Sequence, residues 1–336
     1  MRLFDRAEAA KAALGPTVLG LGTFDGVHQG HRAVLAAAAE SARELAVPAL
    51  VVTFHPHPQQ VLRLEGAPLL LMTVEERTAA LARLGLDAVL ILAFDRALSL
   101  LPAERFLDEI LGAGLGAMGV SVGADFRFGH GRGGSADFLA SWATARGISA
   151  RIIDPVHVDG ELVSSTRIRR LVAAGEVEAA RRLLGAPFPL SGVVVQGDAR
   201  GGTMGFPTAN VRPPEPRKLL PADGVYAVRA WVGDRRFDGM MNVGRRPTFT
   251  SGEDAPRRVE VHLLGFEGDL YGRELRVEVL VRLRPERRFA SAQELAQELQ
   301  RDAVRAREAL AAVAAAEEPR PPGGLDKPLE GRRFRR

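Results

Sequence analysis

Short apolar runs alternate with longer helical ones from Thr17 to about Leu184, and β-type segments dominate after Gly185, so the chain must fold as two differently built halves. Residues 18–23, 49–54, 88–94, 119–122 and 150–154 are short and apolar, as strands buried on both faces are. Residues 32–45, 74–84, 103–111 and 137–146 carry apolar side chains three and four apart, which suits crossover helices. An α/β domain with a parallel sheet is expected over residues 1–184. Ala186-Pro187-Phe188-Pro189 then breaks the helical run. The segments 192–196, 224–232, 237–243, 259–264 and 275–283 predict a small β-barrel or sandwich over 185–316, closed by a helix from Ser291 to about Ala316 with Glu294 in the capping-box position. The Pro-, Gly- and Arg-rich stretch 317–336 has little to bury and is expected to be disordered.

Composition narrows the chemistry. The chain has no cysteine, which excludes disulfides, thiolate metal ligands and cysteine nucleophiles but leaves an oxygen-ligated divalent metal open. Its 45 basic residues outnumber 41 acidic ones, yet all but three are arginine and acids are interspersed among them. That pattern follows from GC-rich coding, so no nucleic acid is expected as a partner. No apolar run is long enough to span a membrane and no leader pattern opens the chain, so no membrane association and a cytoplasmic location are expected.

Gly22-Thr23-Phe24-Asp25-Gly26-Val27-His28-Gln29-Gly30-His31 joins the first strand to the first long helix. A helix N-terminus offers backbone N–H groups and a positive dipole end to phosphate, and glycines let a ligand approach the backbone. Two imidazoles three residues apart share a helical face and can serve one phosphate. The spacing matches neither a Walker loop nor a dinucleotide fingerprint. This run resembles the nucleotidylyltransferase superfamily, in which His-x-Gly-His holds ATP phosphates during attack on the α-phosphate.

Ser164-Ser165-Thr166-Arg167-Ile168-Arg169, late in the domain, is similar to the segment that closes over the triphosphate. Val52-Thr53-Phe54-His55-Pro56-His57-Pro58 and Gly123-Ala124-Asp125-Phe126-Arg127-Phe128-Gly129 narrow the resemblance to bacterial FAD synthetases. The resemblance implies a Rossmann-like fold, catalytic roles for His28, His31 and Arg169, and ATP contacts from Gly22, Phe24, Gly30, Asp125, Ser165 and Thr166. It places Phe54, Pro56, Pro58 and Phe128 near the flavin. Many relatives carry Asn where this chain has Asp125; the carboxylate can help hold Mg²⁺ but cannot donate a hydrogen bond when ionised.

In the second half, Gly197-Asp198-Ala199-Arg200-Gly201-Gly202-Thr203-Met204-Gly205-Phe206-Pro207-Thr208-Ala209-Asn210 reads as a glycine-rich loop able to wrap polyphosphate. Its Pro-Thr-Ala-Asn resembles the metal and nucleotide motif of riboflavin kinases, implying Mg²⁺ ligation by Thr208 and Asn210 and ATP contacts from Gly201 and Gly205. Glu260 matches the family's carboxylate base, and strand alternation puts Glu260 and His262 on one face with Val259 and Val261 on the other. Asn242-Val243-Gly244-Arg245-Arg246-Pro247-Thr248-Phe249 also resembles that family.

The resemblance therefore implies a bifunctional enzyme that makes FMN from riboflavin and ATP, and FAD from FMN and a second ATP, with Mg²⁺; separately, a monomer or weak homo-oligomer is expected. A chain retaining one activity, or an inactive flavin- or RNA-binding regulator, are the alternative readings.

Overall fold

A computed structural model describes residues 1–62, 66–196, 206–245 and 257–317. By their contacts the described residues fall into two compact units, Met1–Leu69 with Arg77–Ser165, and Leu70–Glu76 with those from Thr166 to Glu317.

The first unit is built on a six-stranded sheet, parallel throughout: β1 (Arg2–Phe4), β2 (Thr17–Leu21), β3 (Ala49–His55), β4 (Ala88–Ala93), β5 (Ala117–Gly123) and β6 (Ser149–Ile153), in the order β1-β4-β3-β2-β5-β6. The five expected strands are present. β1 and the helix α1 (Ala7–Leu14) were not expected, because three mostly exposed residues at a sheet edge show no hydrophobic period. From β2 the chain moves out to β3 and β4, then crosses back to β5. The chain thus reverses direction across the sheet between β2 and β5, and the carboxyl ends of the strands at such a switch point are where open parallel sheets bind ligands.

Helix α2 (Gln29–Glu44) packs on β2 and β5. A Cβ on Gly20 would stand 2.8 Å from Leu35 Cδ2, so glycine is what lets helix and strand close up. Helix α3 (Val74–Ala82) precedes β4. The helix expected over 103–111 is regular only at α4 (Ala103–Arg105) and continues as a π-helix over Phe106–Gly114. A Cβ on Gly114 would lie 2.8 Å from the Glu109 carbonyl oxygen, so the wide coil depends on glycine there. Leu107, Leu111, Leu139 and Trp142, the last two on α5 (Ala136–Thr144), fill the core beside Leu19, Leu50 and Leu90.

The second unit is a closed antiparallel barrel of β7 (Phe188–Val195), β8 (Ala209–Arg212), β9 (Gly224–Val232), β10 (Arg235–Arg245), β11 (Arg257–Leu263) and β12 (Glu274–Pro285), paired in the order β7-β8-β11-β10-β9-β12. Of barrel and sandwich, the structure takes the barrel. β7 begins four residues before its expected start, because Phe188 and Leu190 point into the core and pair through β12 despite Pro189 between them. β8 falls inside the motif read as a loop, so Ala209 and Asn210 are strand residues.

Helix α8 (Ala292–Glu317) lays Ala303, Ala306 and Leu310 over Ala227, Met240 and Leu280 on the barrel's outer face. Its cap departs slightly from the expected box: the Ser291 hydroxyl accepts from the Glu294 N–H, but the Glu294 carboxylate accepts from the N–H of Ala290. Two helices counted above with the first domain belong to this unit by contact. Of α6 (Ser165–Ala174) all but the first residue does, and α7 (Val177–Leu184) follows it. Arg282 of β12 secures them, donating to the Ala174 carbonyl from Nη1 and, through its backbone N–H, to Glu178.

A buried ion pair anchors the segment 70–76 in this unit. Lys218 Nζ donates to Glu76 Oε2 and Leu71 O, both at 2.6 Å, and to Pro189 O at 2.7 Å, and stands 4.4 Å from the Phe188 ring centre. The other Glu76 oxygen accepts from the Ser191 N–H. The two side chains are 1% and 2% exposed. Lys218→Met would leave the Glu76 carboxylate buried without its cation, and is expected to cost about 3–5 kcal/mol of stability. Denaturant unfolding checks this, with Glu76→Gln added to Lys218→Met expected to recover part of the loss.

Candidate active sites

The carboxyl end of β2 turns into α2 through a loop whose carbonyls are held from several sides. Thr23 O accepts from Thr53 Oγ1 at 2.9 Å, Asp25 O from Ser165 Oγ at 2.9 Å and Val27 O from Arg32 Nε at 3.1 Å. This matters because Phe24 and Val27, both buried, sit at φ 50° and 41°. Such a conformation costs of order 1–3 kcal/mol per residue and persists only where its surroundings enforce it.

The reward is the placement of two imidazoles. His28 caps α2, its Nδ1 accepting from the His31 N–H at 3.3 Å. Nδ1 is therefore an acceptor, which leaves the ring proton on Nε2, on the far side of the ring from the helix. The His28 and His31 rings stack at 3.5 Å with planes 15° apart. The buried Phe24 ring meets His31 edge-on at 5.3 Å, so Phe24 supports the histidine. A Cβ on Gly30 would come within 3.3 Å of the His28 ring, and one on Gly22 within 3.1 Å of Phe24. The loop thus brings Gly22, Phe24, His28, Gly30, His31 and Ser165 together.

Asp125 is exposed in the turn after β5, its carboxylate folded back over Gly123. Of the expected flavin residues, Phe54 packs edge-on against Phe94 in the core, and Phe128, 8% exposed, packs with Phe106, Phe126 and Phe138. Pro56 is exposed and Pro58, half-buried, opens a short helix, Pro58–Leu62. Thr166 and Arg169 follow Ser165 on α6, in the second unit by contact.

In the barrel, register decides the second site. Asn210 of β8 pairs directly with Glu260 of β11, and Glu260 pairs on its other side with Asn242 of β10. Directly paired side chains on one face have Cβ atoms about 4.5–5.5 Å apart. Val259 and Val261 are buried and Glu260 and His262 partly exposed, as alternation predicts. His262 Nδ1 lies 2.8 Å from the Pro207 carbonyl and its ring meets Phe206 at 5.2 Å, which fixes the entry of Thr208 into β8. The carboxyl of Glu286 sits over Gly244, where a Cβ would collide with it. Burial, and next the charge of Asp223, holds Glu286 above the usual carboxylate range, with Glu260 adding to the effect. Gly201, Gly205 and residues 246–249 of the kinase-like motif lie outside the described residues.

A family model described as FAD synthetase matches residues 10–167, and one described as riboflavin kinase matches residues 184–310. The bifunctional riboflavin kinase/FMN adenylyltransferase of Pseudomonas fluorescens is 42% identical over 295 residues, which is 88% of this chain and 93% of that protein. The chain belongs to this bifunctional family. The Bacillus subtilis member is 34% identical over 85% of this chain and 90% of its own length. A solved structure from Streptococcus pneumoniae, named a macrolide-efflux protein, is 31% identical with a TM-score of 0.79, covering 91% of this chain and 98% of that one. Within the family frame the loop 22–31 and Ser165 fall in the FAD synthetase match, and Asn210, Asn242 and Glu260 in the riboflavin kinase match. Among the described residues no helix is long and apolar enough to cross a membrane.

Proposed function

We propose that the chain makes FAD in two steps at separate sites. In the barrel, Glu260 accepts the proton of the ribityl 5′-hydroxyl as its oxygen attacks the γ-phosphorus of ATP; the bond from γ-phosphorus to the β–γ bridging oxygen breaks, and FMN and ADP result. The observation that carries this reading is the Asn210–Glu260–Asn242 row, which sets a carboxylate between two amides on one barrel face. Thr208 and Asn210 offer neutral oxygens of the kind Mg²⁺ takes, and Asn210 stands beside the base, so the pair fits an ion arriving with ATP. When bound, Mg²⁺ supplies charge neutralisation on the phosphates.

In the first unit, an FMN phosphate oxygen attacks the α-phosphorus of a second ATP and pyrophosphate leaves. Supporting this is the stacked pair His28 and His31 at a helix N-terminus beside the sheet's switch point, with the His28 proton on Nε2. The exposed Pro56, at the end of β3 in the same unit, marks the flavin side of this site.

Purified protein incubated with riboflavin, ATP and Mg²⁺, with flavins separated over time, is expected to show FMN first and FAD after it. FMN alone would place a defect in adenylyl transfer, at Asp125 first, and unchanged riboflavin would sink the reading in favour of a binding protein.

A further inference from the structure

Arg77 belongs to none of the motifs above, yet it is 5% exposed and lies on α3 beneath the carboxyl ends of β2 and β3. Its Nη1 donates to Thr23 O at 2.8 Å and its Nη2 to Phe54 O at 2.9 Å. Thr23 O is the last carbonyl before the left-handed Phe24, and it also accepts from Thr53 Oγ1. Phe54 O is the carbonyl that precedes the His55-Pro56-His57-Pro58 segment. One rigid, planar guanidinium therefore ties the start of the phosphate loop to the start of the flavin segment, through charge-assisted bonds shielded from water.

We propose that Arg77 is a positioning residue for adenylyl transfer, setting the distance between the ATP loop and the flavin segment. The proposal rests on assigning that reaction to the first unit. An in-line attack between two bound substrates is sensitive to their spacing, and a displacement of about 1 Å can cost 10²-fold in rate. A residue that only stabilised the fold would change the melting temperature and leave the kinetics of folded protein alone.

The test is Arg77→Met in the full chain, assayed for both reactions. FMN adenylylation should fall about 10²-fold in kcat, with the KM values for ATP and FMN rising together because both loops lose the same anchor. Riboflavin phosphorylation should stay within about twofold, and Arg77→Lys, which keeps a buried cation, should recover at least about tenfold of the loss. Unchanged adenylylation, a rise in only one KM, or no rescue by lysine would each overturn the proposal. Should Arg77→Met fail to fold, Thr53→Val removes the other donor to Thr23 O. It should raise the KM for ATP about fivefold and spare that for FMN, and unchanged kinetics there would count against the proposal equally. Failure of the functional reading itself is distinct, since the parent protein would then make no FAD.

Discussion

Glu260→Gln is expected to slow riboflavin phosphorylation by about 10² to 10⁴ while supplied FMN is still converted to FAD. The substitution is nearly isosteric and lies on the outer face of β11, with Val259 and Val261 retaining their places in the barrel core. What it removes is proton-accepting ability at the one carboxylate paired directly with Asn210. It also removes a negative charge that helps hold the Glu286 proton, so Glu286 should titrate closer to its ordinary range. Separate assays with riboflavin and with FMN as starting flavin check the prediction. Loss of both activities together would indicate misfolding and leave the base without support; undiminished phosphorylation would remove Glu260 from the mechanism.

His31→Ala should have the opposite selectivity, slowing FAD formation by roughly 10² to 10³ and sparing FMN formation. Removing one preorganised donor to developing phosphate charge commonly costs about 2.7–4 kcal/mol, the range from which those rates follow. The backbone N–H of residue 31 survives the change, so the His28 cap on α2 is kept and the effect reports the imidazole. The alanine does remove one wall of the stacked pair and the partner of the Phe24 ring. Steady-state kinetics of FMN adenylylation measure the outcome, and a wild-type kcat/KM would refute a phosphate role for His31.

Much of both sites was legible because the decisive residues are neighbours in sequence. His28 and His31 lie within one turn at a helix start, and Glu260 sits between two valines whose alternation declares its face. Other parts were not legible. β1 is three residues long and mostly exposed, so it carries no pattern. Phe54 and Phe128 stand in motifs associated with flavin, and that their rings also pack against Phe94 and against Phe106 is visible only in the structure. Arg77 is one arginine in a chain where all but three of 45 basic residues are arginine, so its type is no signal. Its role shows only where it reaches Thr23 and Phe54, 54 and 23 positions away.

The sequence by itself determined the two-part architecture, the elements that bear the motifs and the chemistry those motifs suit, since periodicity and short-range spacing are local properties of the chain. Tertiary structure alone decided that the β segments close into a barrel, that Asn210 and Asn242 flank Glu260, and that Arg77 joins two strand ends. Those outcomes depend on register and packing between segments far apart in the chain, which are set by the sum of many weak contacts and leave no mark on any one stretch of residues.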